Sequence, residues 1–207
     1  MSGRQSAEER KAQIVAEVLR LADEIGPDRL STTDVACAIG ISQPAIFRHF
    51  PTKGALWAAV AAVIADRLQG DWAAAEAGAN GPQACLKALI VAQLSAISET
   101  PALPSILFSR ELQVDNPALR DVFRRLLGAF QGRLVAVIRD LQAARDLRRD
   151  VSPEDVAILL TSLVQGVAIR WTLGARSGSL VLQGLRLFDV QMALLTTREG
   201  GTDVKTR

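Results

Sequence analysis

Hydrophobic residues recur with helical spacing along nearly the whole chain. Between Ala7 and Glu24, Ile14, Val15, Val18, Leu19 and Leu21 share one face, with Glu8, Glu9, Arg10, Lys11 and Glu17 around it. Gly26 and Pro27 close this first helix. Ser31, followed three residues on by Asp34, has the form of a capping box that opens a second helix over TTDVACAI, ending at Gly40. Ile41 then packs, and Ser42 stands where a cap for a third helix, QPAIFRHF, belongs. Pro44 falls in the first turn of that helix, where its missing N–H costs little. Pro51 ends it, and Thr52 caps a fourth helix, long and mostly apolar, that starts at Lys53.

The clearest break is Gly78, Asn80, Gly81 and Pro82. Helical patterns follow at about 83–99, 102–113, 117–147, 153–174 and 179–197. Ser152 is a natural N-cap with Pro153 at the first helical position, and Glu154 and Asp155 meet the positive helix end. No segment sustains the alternation of a strand. The pattern predicts an all-α protein of about nine helices. Residues 1–6 read as a flexible arm and 198–207 as a frayed tail.

Composition agrees with helices. The chain has 207 residues, 49% hydrophobic and 22% charged, with no tyrosine and abundant alanine and leucine. The net charge of +2 does not by itself argue for nucleic acid. Residues 1–60 carry 7 Lys/Arg against 7 Asp/Glu, so a polyanion site has to rest on where cations are placed. Cys37 and Cys85 lie far apart without metal spacing and read as small buried hydrophobes of a reducing compartment. The N-terminus is polar, and the longest apolar run, at 55–65, is too short to span a bilayer. The expected location is cytoplasmic, with no membrane association. Arginine outnumbers lysine 20 to 4, which hints at a GC-rich bacterial genome.

The chemistry concentrates in residues 31–56. Two short helices joined by Ala-Ile-Gly-Ile-Ser suit a helix-turn-helix: Gly40 supplies a positive φ, and small Ala36 lets the helices cross closely. Val35, Ile39, Ile41, Ile46 and Phe50 form the apolar set that joins the unit to the first helix. Gln43, Ala45, Phe47, Arg48 and His49 are left facing outward. An exposed phenylalanine beside cations suits a DNA groove, where it meets thymine methyls and sugars. Gln43 matches the edge of adenine, or is a polar first-turn residue. Lys53 can reach a phosphate beside helix N-terminal amides, or is an ordinary surface lysine. Thr32 and Thr33 are phosphate donors or helix caps. Arg4, in the arm, is a minor-groove group or disordered. His49, the only histidine, has neither a partner acid or nucleophile nor other metal ligands in helical reach, which leaves a core residue or a DNA contact.

The stretch STTDVACAIGISQPAIFRHFPTKGAL resembles the DNA-binding domain of the TetR family of bacterial transcription regulators. The shared positions are Thr32/Thr33, Ala36, Gly40, Ile41, Ser42, Ile46, Phe47, His49, Phe50, Lys53 and Leu56. The resemblance implies a three-helix helix-turn-helix DNA-binding domain at residues 1–55 and a helical effector-binding and dimerisation domain at 56–207. It implies DNA contacts from Thr32, Thr33, Ser42, Gln43, Pro44, Ala45, Phe47, Arg48, His49 and Lys53, and for His49 a contact with the DNA backbone. The chain departs from the family at Phe47, where tyrosine is usual and its hydroxyl commonly reaches a phosphate.

The function implied is a non-enzymatic, ligand-responsive regulator without metal or cofactor. It would act as a repressor, a homodimer on a palindromic DNA operator, released by an unidentified small hydrophobic or amphipathic effector. The competing reading is a helical small-molecule-binding or adaptor protein with a vestigial helix-turn-helix. Two apolar stripes fit a four-helix dimer seam or packing inside one chain: Val156, Leu159, Leu160, Leu163, Val164, Val167 and Trp171, then Leu182, Leu185, Phe188, Met192 and Leu195. The effector pocket is expected among the fourth to eighth helices, whose polar candidates are Gln93, Ser98, Ser105, Ser109, Arg110, Glu111, Gln165 and Arg170, none of them assigned as a ligand contact.

Overall fold

The computed structural model describes residues 6–196; Arg4 and the tail expected from 198 lie outside the described residues. Ten helices are present there: α1 Ala7–Ile25, α2 Thr32–Ala38, α3 Gln43–His49, α4 Lys53–Ala77, α5 Pro82–Glu99, α6 Ala102–Phe108, α7 Arg110–Asp115, α8 Pro117–Ala143, α9 Pro153–Leu173 and α10 Leu180–Leu195. The one β feature among the described residues is an isolated bridge between Leu147 and Thr196. The fold is all-α, with one helix more than the pattern predicts.

The extra helix comes from a break at Ser109 inside the stretch expected as one helix. Ser109 has an extended backbone and caps α7 by accepting the Leu112 N–H at 3.0 Å. Its hydroxyl also donates to Asp28, in the loop between α1 and α2. That partner is 81 residues away in sequence, so no local pattern announces it.

Ser6 is not part of an arm. It caps α1 in a reciprocal box: the Glu9 N–H donates to Ser6 Oγ at 3.1 Å, and the Ser6 N–H donates to Glu9 Oε2 at 2.7 Å. These bonds, the backbone one first, hold the Glu9 carboxyl below its usual range.

The chain divides into two compact units, residues 1–73 with 95–129, and 74–94 with 130–207. In the first, α1 packs on α2, α3 and α6, and Ile14, Val18, Val35, Ile46, Leu56 and Trp57 are fully buried. The Trp57 indole N–H has no acceptor among the described residues.

In the second unit α9 and α10 pack against each other. Most of the two predicted stripes is spent inside the chain: Val156, Leu160, Val164, Val167, Trp171, Phe188 and Leu195 are buried. Of the predicted stripes Leu159 and Leu182 face solvent, and they are joined there by Ile158, Ile169 and Leu173 on α9 and Val190 and Leu194 on α10. Helix α10 comes close to α5 at Gly184, where a Cβ would stand 2.4 Å from Leu94 Cδ1. By length and composition α9 could cross a membrane, yet 44% of that apolar window is buried within the protein.

The cysteines differ from expectation. Cys37 is exposed, because it sits on the side of α2 facing away from Val35 and Ala36. Cys85 is half-buried, and burial pushes its thiol upward.

Candidate nucleic-acid interface

Helix α2 is fixed at its start by a reciprocal capping box. The Asp34 N–H donates to Ser31 Oγ at 3.2 Å and the Ser31 N–H donates to Asp34 Oδ2 at 2.9 Å. The Ser31 hydroxyl also donates to that carboxylate, at 2.6 Å, and is the main reason the Asp34 carboxyl lies below its usual range. At the other end the chain turns at Gly40, φ +67°. The turn is closed by Gly40 N–H to Cys37 O at 3.2 Å and Ile41 N–H to Ala36 O at 2.9 Å. A side chain would have ample space at Gly40; the backbone conformation is what selects glycine there.

Helix α3 starts without the side-chain cap its sequence suggests. Ser42 holds the N-cap position with an extended backbone but makes no capping bond. The second helical residue is Pro44, which has no N–H to give, and the Ala45 N–H bonds the Ser42 carbonyl at 2.8 Å instead. The Ser42 side chain is therefore exposed and uncommitted to the cap.

Two faces of α3 result. Ile46 is buried inward, followed by Phe50 at the C-cap. Gln43, Pro44, Phe47 and Arg48 are exposed, with Phe47 at 38% exposure, while Ala45 and His49 are half-buried. Thr33 at the start of α2 and Lys53 at the start of α4 are also exposed. Thr52 caps α4 by accepting the Ala55 N–H at 3.0 Å, leaving Lys53 in its first turn. Among the described residues neither Arg48 nor Lys53 forms an ion pair, whereas Arg20 and Arg67 are paired with Glu17 and Glu99. Lys53 also borders a recess of about 210 Å³ whose rim includes Asp28, Glu111, Asp115 and Asn116.

Thr32 is placed differently from its neighbours. Its side chain is 6% exposed, and its hydroxyl accepts a hydrogen bond of 2.8 Å from Gln43 Nε2. Thr32 is the first residue of α2, one position inside the Ser31 cap. Sequence reasoning missed this bond because its ends are 11 residues apart, on two helices whose crossing had to be known first.

No group of three His, Cys, Asp or Glu among the described residues could hold a metal. The expected pocket residues have various surroundings. Ser109 is buried and bonded as described, Arg110, Glu111 and Arg170 are exposed, and Ser98, Ser105 and Gln165 are half-buried. Trp171 donates its indole N–H to Gly178 O at 3.0 Å.

Comparison with known proteins gives this geometry a family. The model for bacterial regulatory proteins of the tetR family matches residues 14–60, and that for the C-terminal part of BetI-type transcriptional repressors matches 82–181. Together these matches span more than half of the chain. The nucleoid occlusion factor SlmA of Haemophilus ducreyi is 26% identical over 162 residues, 78% of each chain. SlmA of Vibrio atlanticus is 25% identical over 199 residues, covering 96% of this chain and 99% of its own. Among solved structures, the ketosteroid regulator KstR2 of Mycobacterium tuberculosis superposes with a TM-score of 0.77 at 16% identity, covering 95% of this chain and 98% of its own. A TetR transcription regulator from Haloarcula marismortui superposes with a TM-score of 0.77 at 21% identity, covering 92% and 100%. At such identities these two structures speak for the fold alone. The helix-turn-helix with its exposed third helix, and the two family models flanking most of α4, lead to one conclusion: this chain is a member of the TetR family of DNA-binding bacterial regulators.

Proposed function

We propose that the protein is a cytoplasmic transcriptional repressor that binds a palindromic operator as a homodimer and releases it when a small hydrophobic or amphipathic effector binds. Residues 1–55 form the DNA-reading part, and 56–207 carry effector binding and dimerisation. The observation that carries this reading is the exposed face of α3, where Gln43, Phe47 and Arg48 stand together over a buried Ile46. Such a face offers an amide for a base edge, an aromatic ring for thymine methyl and sugar, and a cation for phosphate. Thr33, Ser42, His49 and Lys53 add backbone-contacting groups around it, and Pro44 and Ala45 add small apolar surface. The match of 82–181 to BetI-type repressors supports repression as the sign of control.

Two α3 helices must stand one DNA turn apart to read a palindrome. The solvent-facing apolar residues of α9 and α10 supply the surface for a second copy. Ile158, Ile169 and Leu173 flank small Ser162 and Gly166 on α9, and Leu182, Val190 and Leu194 follow one another on α10. Effector release is a population shift: the effector binds better to the arrangement in which the reading helices no longer match the operator.

Selection of bound sequences from random duplexes tests the proposal. A palindrome with half-site centres about 34–36 Å apart is the expected product. Binding that falls steeply with salt is the accompanying signature. Absence of any enriched sequence would sink the reading.

The curated relatives are named as nucleoid occlusion factors, which favours a second reading as a chromosome-bound protein that acts beyond transcription. A map of binding sites in cells separates the two. A few promoter-proximal sites support the repressor; many sites dispersed over the chromosome support the second reading.

A further inference from the structure

We infer that Thr32 is a positioning residue for operator specificity: its buried hydroxyl holds the Gln43 amide in place for base reading. The inference rests on the proposed reading of α3 as the recognition helix.

Three observations carry it. First, the Thr32 side chain is 6% exposed, so its hydroxyl is not displayed to a phosphate. Second, that hydroxyl accepts a 2.8 Å hydrogen bond from Gln43 Nε2, joining the first residue of α2 to the first residue of α3. Third, neither helix needs this bond as a cap. Helix α2 is capped by Ser31 and Asp34, and α3 starts with no side-chain cap at all. The bond thus acts on the one long, exposed polar side chain at the N-terminal end of the reading helix.

The consequence follows from amide chemistry. Glutamine has two Nε2 hydrogens and an Oε1 acceptor. Thr32 takes one hydrogen; the other, together with Oε1, is the donor and acceptor pair that fits N7 and the N6 amino group of adenine. A free glutamine has several rotamers and loses that freedom on binding, whereas a tethered one has lost much of it before DNA arrives. Discrimination at the base pair under Gln43 therefore depends on a hydroxyl that never touches DNA.

The experiment uses the full chain and the operator recovered by selection. Gln43→Ala first locates the base pair whose identity Gln43 reads. Thr32→Val, close in shape and suited to a buried site, is then compared with wild type on duplexes altered at that pair. Discrimination is expected to fall about five- to tenfold per half-site, within the worth of one good bidentate contact. Non-specific affinity and the salt slope stay as in wild type, because no phosphate contact is lost. Thr32→Ser keeps the hydroxyl and restores discrimination. Thr32→Ala serves where valine disturbs the fold, and in a Gln43→Ala background neither substitution has a further effect on discrimination.

The inference is overturned if Thr32→Val reads the pair as sharply as wild type. A uniform loss on all duplexes with a shallower salt slope also overturns it, since that outcome makes Thr32 a phosphate contact. Both results leave the repressor proposal standing. A wild-type protein without sequence preference brings down that proposal and this inference together.

Discussion

The helix-turn-helix and the α9–α10 pair both show apolar side chains to solvent, in contrasting company. On α3 a single aromatic ring, Phe47, stands among Gln43, Arg48 and half-buried His49. On α9 and α10 the apolar groups follow one another at helical spacing, with Leu173 82% exposed and Leu182 70% exposed. An isolated ring amid donors and cations suits a hydrated, negatively charged groove. A strip richer in apolar groups, crossed on α10 by exposed Arg186, suits another protein surface. Both regions use serine caps, a first-turn proline, a positive-φ glycine and a buried apolar face, so what separates them is the company of their exposed apolar groups.

The sharpest way to break this comparison is to charge the strip. Leu182→Glu combined with Leu194→Glu places carboxylates on the exposed face of α10 while leaving Phe188 and Leu195 in the core. The protein should become monomeric in sedimentation and keep its helical circular dichroism. Operator affinity should fall about a thousandfold, toward the non-specific level, because a single reading helix then faces the site. A monomer that still binds the operator tightly would show that the strip serves some other partner.

The same contrast explains what could be read in the sequence. In residues 31–56 nearly every structural decision is local. Ser31 and Asp34 are three residues apart, Gly40 must adopt positive φ, and Thr52 caps the helix it precedes. Ser42 is the exception, since the Ala45 N–H three residues on bonds its carbonyl rather than its side chain. The inward set was legible in large part: Val35, Ile46 and Phe50 are buried, while Ile39 and Ile41, beside the turn, are half-buried. What escaped notice depends on tertiary geometry. The Thr32–Gln43 bond, the Ser109 break set by Asp28 and the close approach of Gly184 to Leu94 each join segments whose meeting no periodicity reports. In α9 and α10 apolar residues occur on nearly all sides, so periodicity alone could not separate the stripe spent on the chain's own core from the one left outside.

Two glycines sharpen the distinction between local and packed structure. At Gly184 space is the constraint, because a Cβ meets Leu94, itself fully buried. Gly184→Val should cost about 1–3 kcal/mol by overpacking, read as a lower denaturant midpoint with an unchanged slope. At Gly40 the space is open and φ is the constraint. Gly40→Ala should cost about 1–2 kcal/mol through backbone strain. Replacing Leu94 by alanine should relieve the Gly184 variant and leave the Gly40 variant unchanged. Relief of both would mean that the two glycines are not held by separate causes.

A smaller effect probes the lone ring. Phe47 stands where the family usually carries tyrosine, and its position at 38% exposure leaves room for a hydroxyl. Phe47→Tyr should tighten operator binding about fivefold, in line with roughly 1 kcal/mol for one hydrogen bond. The gain should appear on operator and non-specific duplexes alike, since a phosphate carries no base identity. An unchanged affinity would mean that the ring faces sugar and methyl surface rather than phosphate.

The smallest effect concerns acid and the cap of α2. Both Ser31 bonds favour the ionised Asp34, so its folded-state carboxyl lies below the ordinary value of 3.8. A group depressed in this way contributes stability above its unfolded pKa and loses it as pH falls through the folded one. Asp34 is exposed, so the contribution is small and local. Hydrogen exchange in acid should therefore show the first amides of α2 losing protection before those of α9. There, Ser152 accepts the Asp155 N–H at 3.0 Å without the reciprocal box seen at Ser31. Asp34→Asn keeps an acceptor but cannot titrate near that pH, so it should flatten the acid dependence of α2 protection and leave that of α9 alone. Equal loss in both helices would show that acid acts on the whole fold and that the helix-turn-helix owes little to this cap.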